Sequence, residues 1–194
     1  MLLCEIGVRM IGAKPASDKL HRQNHMVKAA IGLGSNIGDP VANVQDAIRR
    51  LAGIGKLLAQ SSLYRTKPWG VHEQPDFINA AVIIEVECTA RELLDRLLAI
   101  ELSMGRERAN SVRWGPRIID LDILTFGDLR TEEPGLIVPH KHLYERAFVL
   151  APLAEIDPSY LAALKKLPAE VQVEVVRLKN PDSRSVPEHV CGLD

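Results

Sequence analysis

Aromatic residues are scarce: three Phe, three Tyr and two Trp in 194 residues. The core must therefore be built from Leu, Ile, Val and Ala. Cysteine is also scarce. Cys4, Cys88 and Cys191 are odd in number, far apart and never in CxxC spacing. This excludes a disulfide framework and a cysteine-based zinc site, and it fits reduced thiols in a cytoplasmic protein. No run of roughly 18 apolar residues occurs, so no transmembrane helix is expected. The apolar start MLLCEIGVRMIG is interrupted by Glu5 and Arg9, which argues against a secretory signal. Net charge is nearly absent too: 24 Lys and Arg face 25 Asp and Glu, giving −1. That balance speaks against a nucleic-acid coat or a membrane-surface protein, while leaving room for a local basic patch. What remains is 46% apolar and 25% charged residues, the balance of a globular chain of one domain with tails.

Residues 1–26 show no clean period and read as a tail, or as translation from a start upstream of Met26. Pattern begins at Val27. The stretch 27–33 reads as a strand with Gly34-Ser35-Asn36 as its exit, and Asp39-Pro40 reads as a helix start. Val41, Val44, Ala47, Ile48 and Leu51 repeat at helical spacing, and Gly53 and Gly55 end the run. A second strand is expected over 57–64 and a third over 77–87. Thr89-Ala90-Arg91-Glu92 is a capping box for a helix carrying Leu93, Leu94, Leu97, Leu98 and Leu102. A fourth strand is expected over 117–126. An apolar run follows at 147–153, and a last strand is placed over 171–176. The order β-α-β-β-α-β predicts an α+β fold: a ferredoxin-like antiparallel sheet with helices packed on it. The domain limits expected are a tail at 1–26, a domain at 27–167 and a C-terminal extension at 168–194.

Four constellations carry chemistry. The glycine cluster Gly32-Leu33-Gly34-Ser35-Asn36-Ile37-Gly38 sits between strand and helix, where a phosphate loop would be. It fails both tests. Ile37 stands where a dinucleotide fingerprint needs its third glycine, and no Gly-Lys-Ser/Thr triplet exists. A tight turn is the plainer reading. The second is Asp120-Leu121-Asp122. On a strand the two aspartates point the same way, roughly 7 Å apart. A divalent cation relieves their repulsion, and all-oxygen ligation suits Mg²⁺; two solvated aspartates on an exposed face are the alternative. Just before them, the segment from Arg106 to Arg117 holds four arginines against one glutamate. Guanidinium forks match phosphate geometry. The alternative is an internal salt-bridge network between loop and strand. Third, Phe77 offers a ring to stack on, and Asn79 lies on the same face with a donor and an acceptor; Thr66 and its neighbours add backbone groups. A core Phe and a turn Asn are the bland alternative. Fourth, Val138-Pro139-His140 with Arg146 and Phe148 would add cationic contacts near phosphate, although His140 alone reads as structural.

These residues resemble the 6-hydroxymethyl-7,8-dihydropterin pyrophosphokinases of folate biosynthesis, over about 27–158. The resemblance rests on Leu63-Tyr64-Arg65-Thr66 with Pro68, on Gln74-Pro75-Asp76-Phe77-Ile78-Asn79-Ala80, and on Arg113-Trp114-Gly115-Pro116-Arg117 running to Asp120-Leu121-Asp122. Val138-Pro139-His140 and Arg146-Ala147-Phe148 extend it. It implies transfer of pyrophosphate from ATP to the pterin's hydroxymethyl group, leaving AMP, by a cytoplasmic monomer that needs neither nucleic acid nor membrane. It implies Asp120 and Asp122 as ligands of two Mg²⁺ ions, with Arg106 and Arg117 beside them in catalysis. It implies nucleotide contacts from Glu101, Arg106, Arg117, Ile123, His140 and Arg146. Thr66, Lys67, Trp69, Phe77, Asn79, Trp114 and Phe148 are the implied pterin-binding residues. Lys141 departs from it, standing where some relatives place an aromatic. A single-strand RNA-binding module is the competing class, since the same strand order supports base stacking on a sheet.

Overall fold

The computed structural model describes residues 26–68, 73–106 and 115–178. Residues 1–25 of the expected tail, Trp69, Trp114, most of the arginine-rich segment and residues 179–194 of the expected C-terminal extension lie outside the described residues.

Strand β1 (Val27–Ser35) runs two residues further than the sequence predicts. Its Ala29, Ile31 and Leu33 enter one core and Ala30 enters another, as the two-residue period of a strand requires. Asp39 then caps helix α1 (Pro40–Leu51): its Oδ1 accepts from the Ala42 N–H at 3.0 Å, and Pro40 occupies a first-turn position whose N–H would be orphaned anyway. The expected stripe Val44, Ala47, Ile48 and Leu51 is buried.

The single strand expected over 57–64 is two, β2 (Lys56–Gln60) and β3 (Tyr64–Thr66). Ser61 makes the break. Its N–H donates to the Ala81 carbonyl and its Oγ accepts from the Ala81 N–H, both at 2.9 Å, so a side chain substitutes for a ladder bond. Strand β4 (Phe77–Val86) pairs with β1 from Ile78 to Val86 and with β2 and β3 on its other edge. Helix α2 (Ala90–Ser103) opens on the expected capping box. Its stripe differs at the end: Leu102 is exposed and Glu101 is buried in its place. Strand β5 (Asp120–Phe126) pairs antiparallel with β1.

A hairpin of β6 (Thr131–Glu133) and β7 (Leu136–Val138) follows, which the sequence reading did not foresee. After it come α3 (Ala147–Ile156), a 3-10 turn, α4 (Leu161–Lys166) and α5 (Ala169–Val173). The last strand, β8 (Val175–Arg177), is shorter than expected, because 171–173 close a helix instead.

The sheet order is β5-β1-β4-β3-β8, with β2 also on β4, and every pairing is antiparallel. With α1 and α2 on one face, this is the ferredoxin-like α+β arrangement that the element order predicts. The opposite face is not open. Leu150 and Leu153 of α3 pack with Leu143 against Ala30, Ala81 and Leu124. Small residues on the sheet let the helix approach, and each buried leucine contributes about 1.5–3 kcal/mol. A bulge in β5 sorts its side chains. Ala30 faces Thr125 and Ile31 faces Ile123, so Leu124 is the extra residue. Leu121 and Ile123 pack toward α1 and α2 and Leu124 toward α3, and the bulge returns Phe126 to the side of Leu121 and Ile123. Among the described residues no helix is long and apolar enough to cross a membrane.

Candidate active site

A cavity opens on the α3 side of the sheet, beyond the end of that second core. Gly32 and Gly34 of β1, Phe77 and Asn79 of β4, and Asp120 and Asp122 of β5 all line it, and Thr66, Lys67, Arg117, His140, Arg146 and Phe148 close its sides. Strand alternation brings the first six to one face.

The space itself comes from the glycines. A Cβ on Gly34 would sit 3.0 Å from Asn79 Oδ1, and one on Gly32 would sit 3.2 Å from Leu124. The sequence reading of a tight turn holds for Gly38, whose φ is +68°, but Gly32 and Gly34 belong to the strand. The signal was available: Gly32 and Gly34 alternate with the apolar Ile31 and Leu33, which marks one bare face on an otherwise well-packed strand.

The acidic end is asymmetric. Asp120 is held by Arg106 Nη1 on one oxygen and by Arg117 Nη1 at 2.5 Å on the other. Burial opposes its charge, but the two guanidiniums outweigh burial and hold the carboxyl below its ordinary range. The internal salt-bridge network between loop and strand is thus present at Arg106 and Arg117. Asp122 has the opposite environment. Among the described residues none donates a hydrogen bond to it. Burial first, then the charges of Asp120 and Glu101, push it up to about 7. Asp122, a carboxyl with no donor of its own among the described residues, beside Asp120 on the same strand face fits a divalent cation. Mg²⁺ is an ion such a pair can hold, since it takes one or two carboxylates and fills its shell with water and phosphate.

Glu101 does not line the cavity. It is 1% exposed beneath β5, where Oε1 accepts from Arg106 Nη1 at 2.5 Å and from the Leu121 N–H at 2.8 Å. It fixes Arg106 and the strand between the two aspartates. The Ile123 side chain is in the helix-covered core and does not line the cavity.

His140 is buried against Arg146, and burial lowers it to about 4. It is neutral at pH 7. Its Nδ1 accepts from the His142 N–H at 3.2 Å, which leaves the proton on Nε2 as a donor. At the other end of the cavity are the rings. The Arg117 guanidinium lies 5.8 Å from the Phe77 centroid, and that of Arg146 lies 5.6 Å from Phe148. Between them Asn79 Nδ2 donates to Thr66 Oγ1 at 2.8 Å, which fixes the amide and leaves its oxygen toward Gly34.

The sequence reading missed Asn36. Only 2% exposed, it donates to Gln74 Oε1 (3.0 Å) and the Pro75 carbonyl (3.1 Å), and its Oδ1 accepts from the Arg117 N–H (2.8 Å). One side chain thus ties the segment before β4 to the segment before β5. Its signal was a polar residue at the exit of a buried strand.

Fold and cavity together define an α+β protein of ferredoxin-like topology whose cleft is acidic and cationic at one end and lined by rings at the other. Residues 30–158 match the family model of the 7,8-dihydro-6-hydroxymethylpterin-pyrophosphokinases. The chain is 48% identical to the 2-amino-4-hydroxy-6-hydroxymethyldihydropteridine pyrophosphokinase of Methylorubrum extorquens over 136 residues, covering 69% of this chain and 84% of that one. It is 40% identical to the enzyme of that name from Pseudomonas aeruginosa over 161 residues, covering 81% and 86%. A Plasmodium falciparum HPPK-DHPS chain crystallised with pterin and p-hydrobenzoate shares the fold at a TM-score of 0.61 and 14% identity. That likeness covers 81% of this chain and 48% of the other, so this chain spans about half the length of that bifunctional protein. The chain belongs to the 7,8-dihydro-6-hydroxymethylpterin-pyrophosphokinase family.

Proposed function

We propose that the protein transfers pyrophosphate from Mg²⁺-bound ATP to the hydroxymethyl group of 6-hydroxymethyl-7,8-dihydropterin, releasing AMP, in the domain formed by residues 27–167. The observation that carries this reading is the cavity itself, with its facing acid pair, its arginines and its ring slot on one sheet face.

The ring slot takes the pterin. Phe77 and Phe148 supply apolar faces, and the Asn79 amide, fixed by Thr66, meets the polar edge of the bicycle. The triphosphate lies toward Arg117, Arg146 and the His140 Nε2–H. Asp120 and Asp122 hold the metal, which supplies neutralisation of phosphate charge. Once phosphate oxygens enter, Arg106 and Arg117 have a second set of acceptors besides Asp120. The hydroxymethyl oxygen is a weak, neutral nucleophile meeting a polyanion. The residues therefore act by positioning and by shielding charge at the β-phosphorus. Trp69 and Trp114 belong to the same proposal and lie outside the described residues.

The test is to incubate the protein with ATP, Mg²⁺ and the reduced pterin and to identify the nucleotide product. AMP is expected; ADP would point to single-phosphoryl transfer and overturn the reading. Asp122→Ala is expected to lower turnover on the order of a thousandfold with the fold intact. Against the RNA-binding reading stands a specific observation: α3 covers part of the sheet face on which bases would stack, and the open remainder carries Asp120 and Asp122, which repel phosphate.

A further inference from the structure

The family match ends at residue 158, yet the sheet does not. Beyond it the chain passes through α4 and α5 and returns as β8, which pairs with β3 in the register Tyr64↔Arg177, Arg65↔Val176 and Thr66↔Val175. The Leu178 N–H then donates to the Leu63 carbonyl at 2.8 Å. Strand β3 is only three residues long, and it carries Thr66 and leads into Lys67, both on the cavity wall. So short a strand has few ladder bonds of its own. Glu155 of α3 collects the rest. Its carboxylate accepts from the Ser62 N–H and hydroxyl and from the Tyr64 hydroxyl, each at 2.9 Å, and from Arg177 Nη2 at 2.6 Å. Arg177 Nε donates in turn to Ser62 Oγ at 2.9 Å. Arg177 thus joins the last strand, the helix over the sheet and the turn before β3 at one point.

We propose that the C-terminal extension is a working part of the substrate site: β8, locked by Arg177 to Glu155 and Ser62, positions the Thr66 wall of the ring slot. Arg177 is a positioning residue and touches no substrate. The proposal rests on the assignment of that slot to the pterin. Its signature is selective. Thr66 holds Asn79, while the phosphate end is built on β5, on α2 and on His140 and Arg146, the last at the opposite end of α3 from Glu155. Loosening β8 therefore weakens the pterin and leaves ATP alone.

The experiment compares full-length wild type, Arg177→Ala, Arg177→Lys, Leu178→Pro and, as control, Arg91→Ala, which removes a similar exposed ion pair to Glu133 far from β3. Steady-state kinetics are measured against each substrate in turn, together with thermal melting. Arg177→Ala is expected to raise KM for the pterin about fivefold, in keeping with a partly exposed ion pair, with KM for ATP and kcat within about twofold. Leu178→Pro shows the same selectivity, Arg177→Lys restores part of the loss, and Arg91→Ala changes neither KM. Unchanged pterin KM in both Arg177→Ala and Leu178→Pro, or parallel rises in both KM values, overturns the proposal. An inactive wild type refutes the slot assignment on which it stands; an active wild type with silent variants refutes only the brace.

Discussion

Asp122 is poised against its own fold. Burial and two neighbouring carboxylates raise it to about 7, whereas an unfolded aspartate titrates near 3.9. Between those values the folded state binds the extra proton, so stability falls as pH rises from about 4 to about 7 and is level above that. The metal-free protein therefore carries a penalty on the order of a few kcal/mol at pH 8. Asp122→Asn removes it. The expected result is a melting temperature several degrees higher than wild type at pH 8, with little difference at pH 4, alongside loss of turnover. A variant that melts lower at pH 8 contradicts this account of the carboxyl. The same group links metal to protons: titration of the nucleotide-free protein with Mg²⁺ should weaken as pH drops below about 7. His140 gives an independent check. Burial keeps it uncharged down to about 4, so NMR of the ligand-free protein should show one imidazole that does not titrate between pH 5 and 8. An ordinary midpoint near 6.5 for that ring would sink the neutral-donor role.

At the scale of elements, β1 shows how the cavity is made by omission. Gly34→Ala places a methyl 3.0 Å from Asn79 Oδ1. Asn79 is tethered by Thr66 and cannot easily give, so a cost of about 1–3 kcal/mol is expected. About a thirtyfold rise in pterin KM follows at the middle of that range, with ATP affinity near wild type; an unchanged KM would mean that the amide is free to move. Much of this geometry was legible from pattern alone. Strand alternation put Asp120 with Asp122 and Phe77 with Asn79 on shared faces, and the capping box at Thr89 located α2. Three features were not legible, each because long-range packing decides it. The bulge at Leu124 returns Phe126 to the core face of Leu121 and Ile123, which no local spacing records. Glu101 lies on the apolar stripe of its helix, as its spacing indicates, but its partners Arg106 and the Leu121 N–H do not show in that spacing. Asn36 looked like part of a turn, since its partners Gln74, Pro75 and Arg117 are remote in sequence.

For the molecule as a whole, near-neutral net charge conceals a strongly sorted interior. Arg106, Arg117, Arg146, Asp120 and Asp122 crowd one end of one cleft, while the two hydrophobic cores flank the sheet on either side. Charges so gathered are satisfied only in part by one another, and a polyanion with its cation satisfies the remainder. Ligand binding should then stabilise the fold by mass action, about 2.7 kcal/mol at a hundredfold excess over Kd. For a domain of this size that corresponds to a rise in melting temperature of roughly 5–10 °C. A non-hydrolysable ATP analogue with Mg²⁺ is expected to produce that rise. The analogue with a chelator is expected to produce little of it, because the polyphosphate would then face two bare carboxylates. Asp122→Asn loses the metal-dependent part of the shift, and His140→Ala lowers it while keeping its dependence on Mg²⁺. An equal shift with and without the metal would mean that the arginines alone hold the triphosphate, and that the acid pair serves only to anchor them.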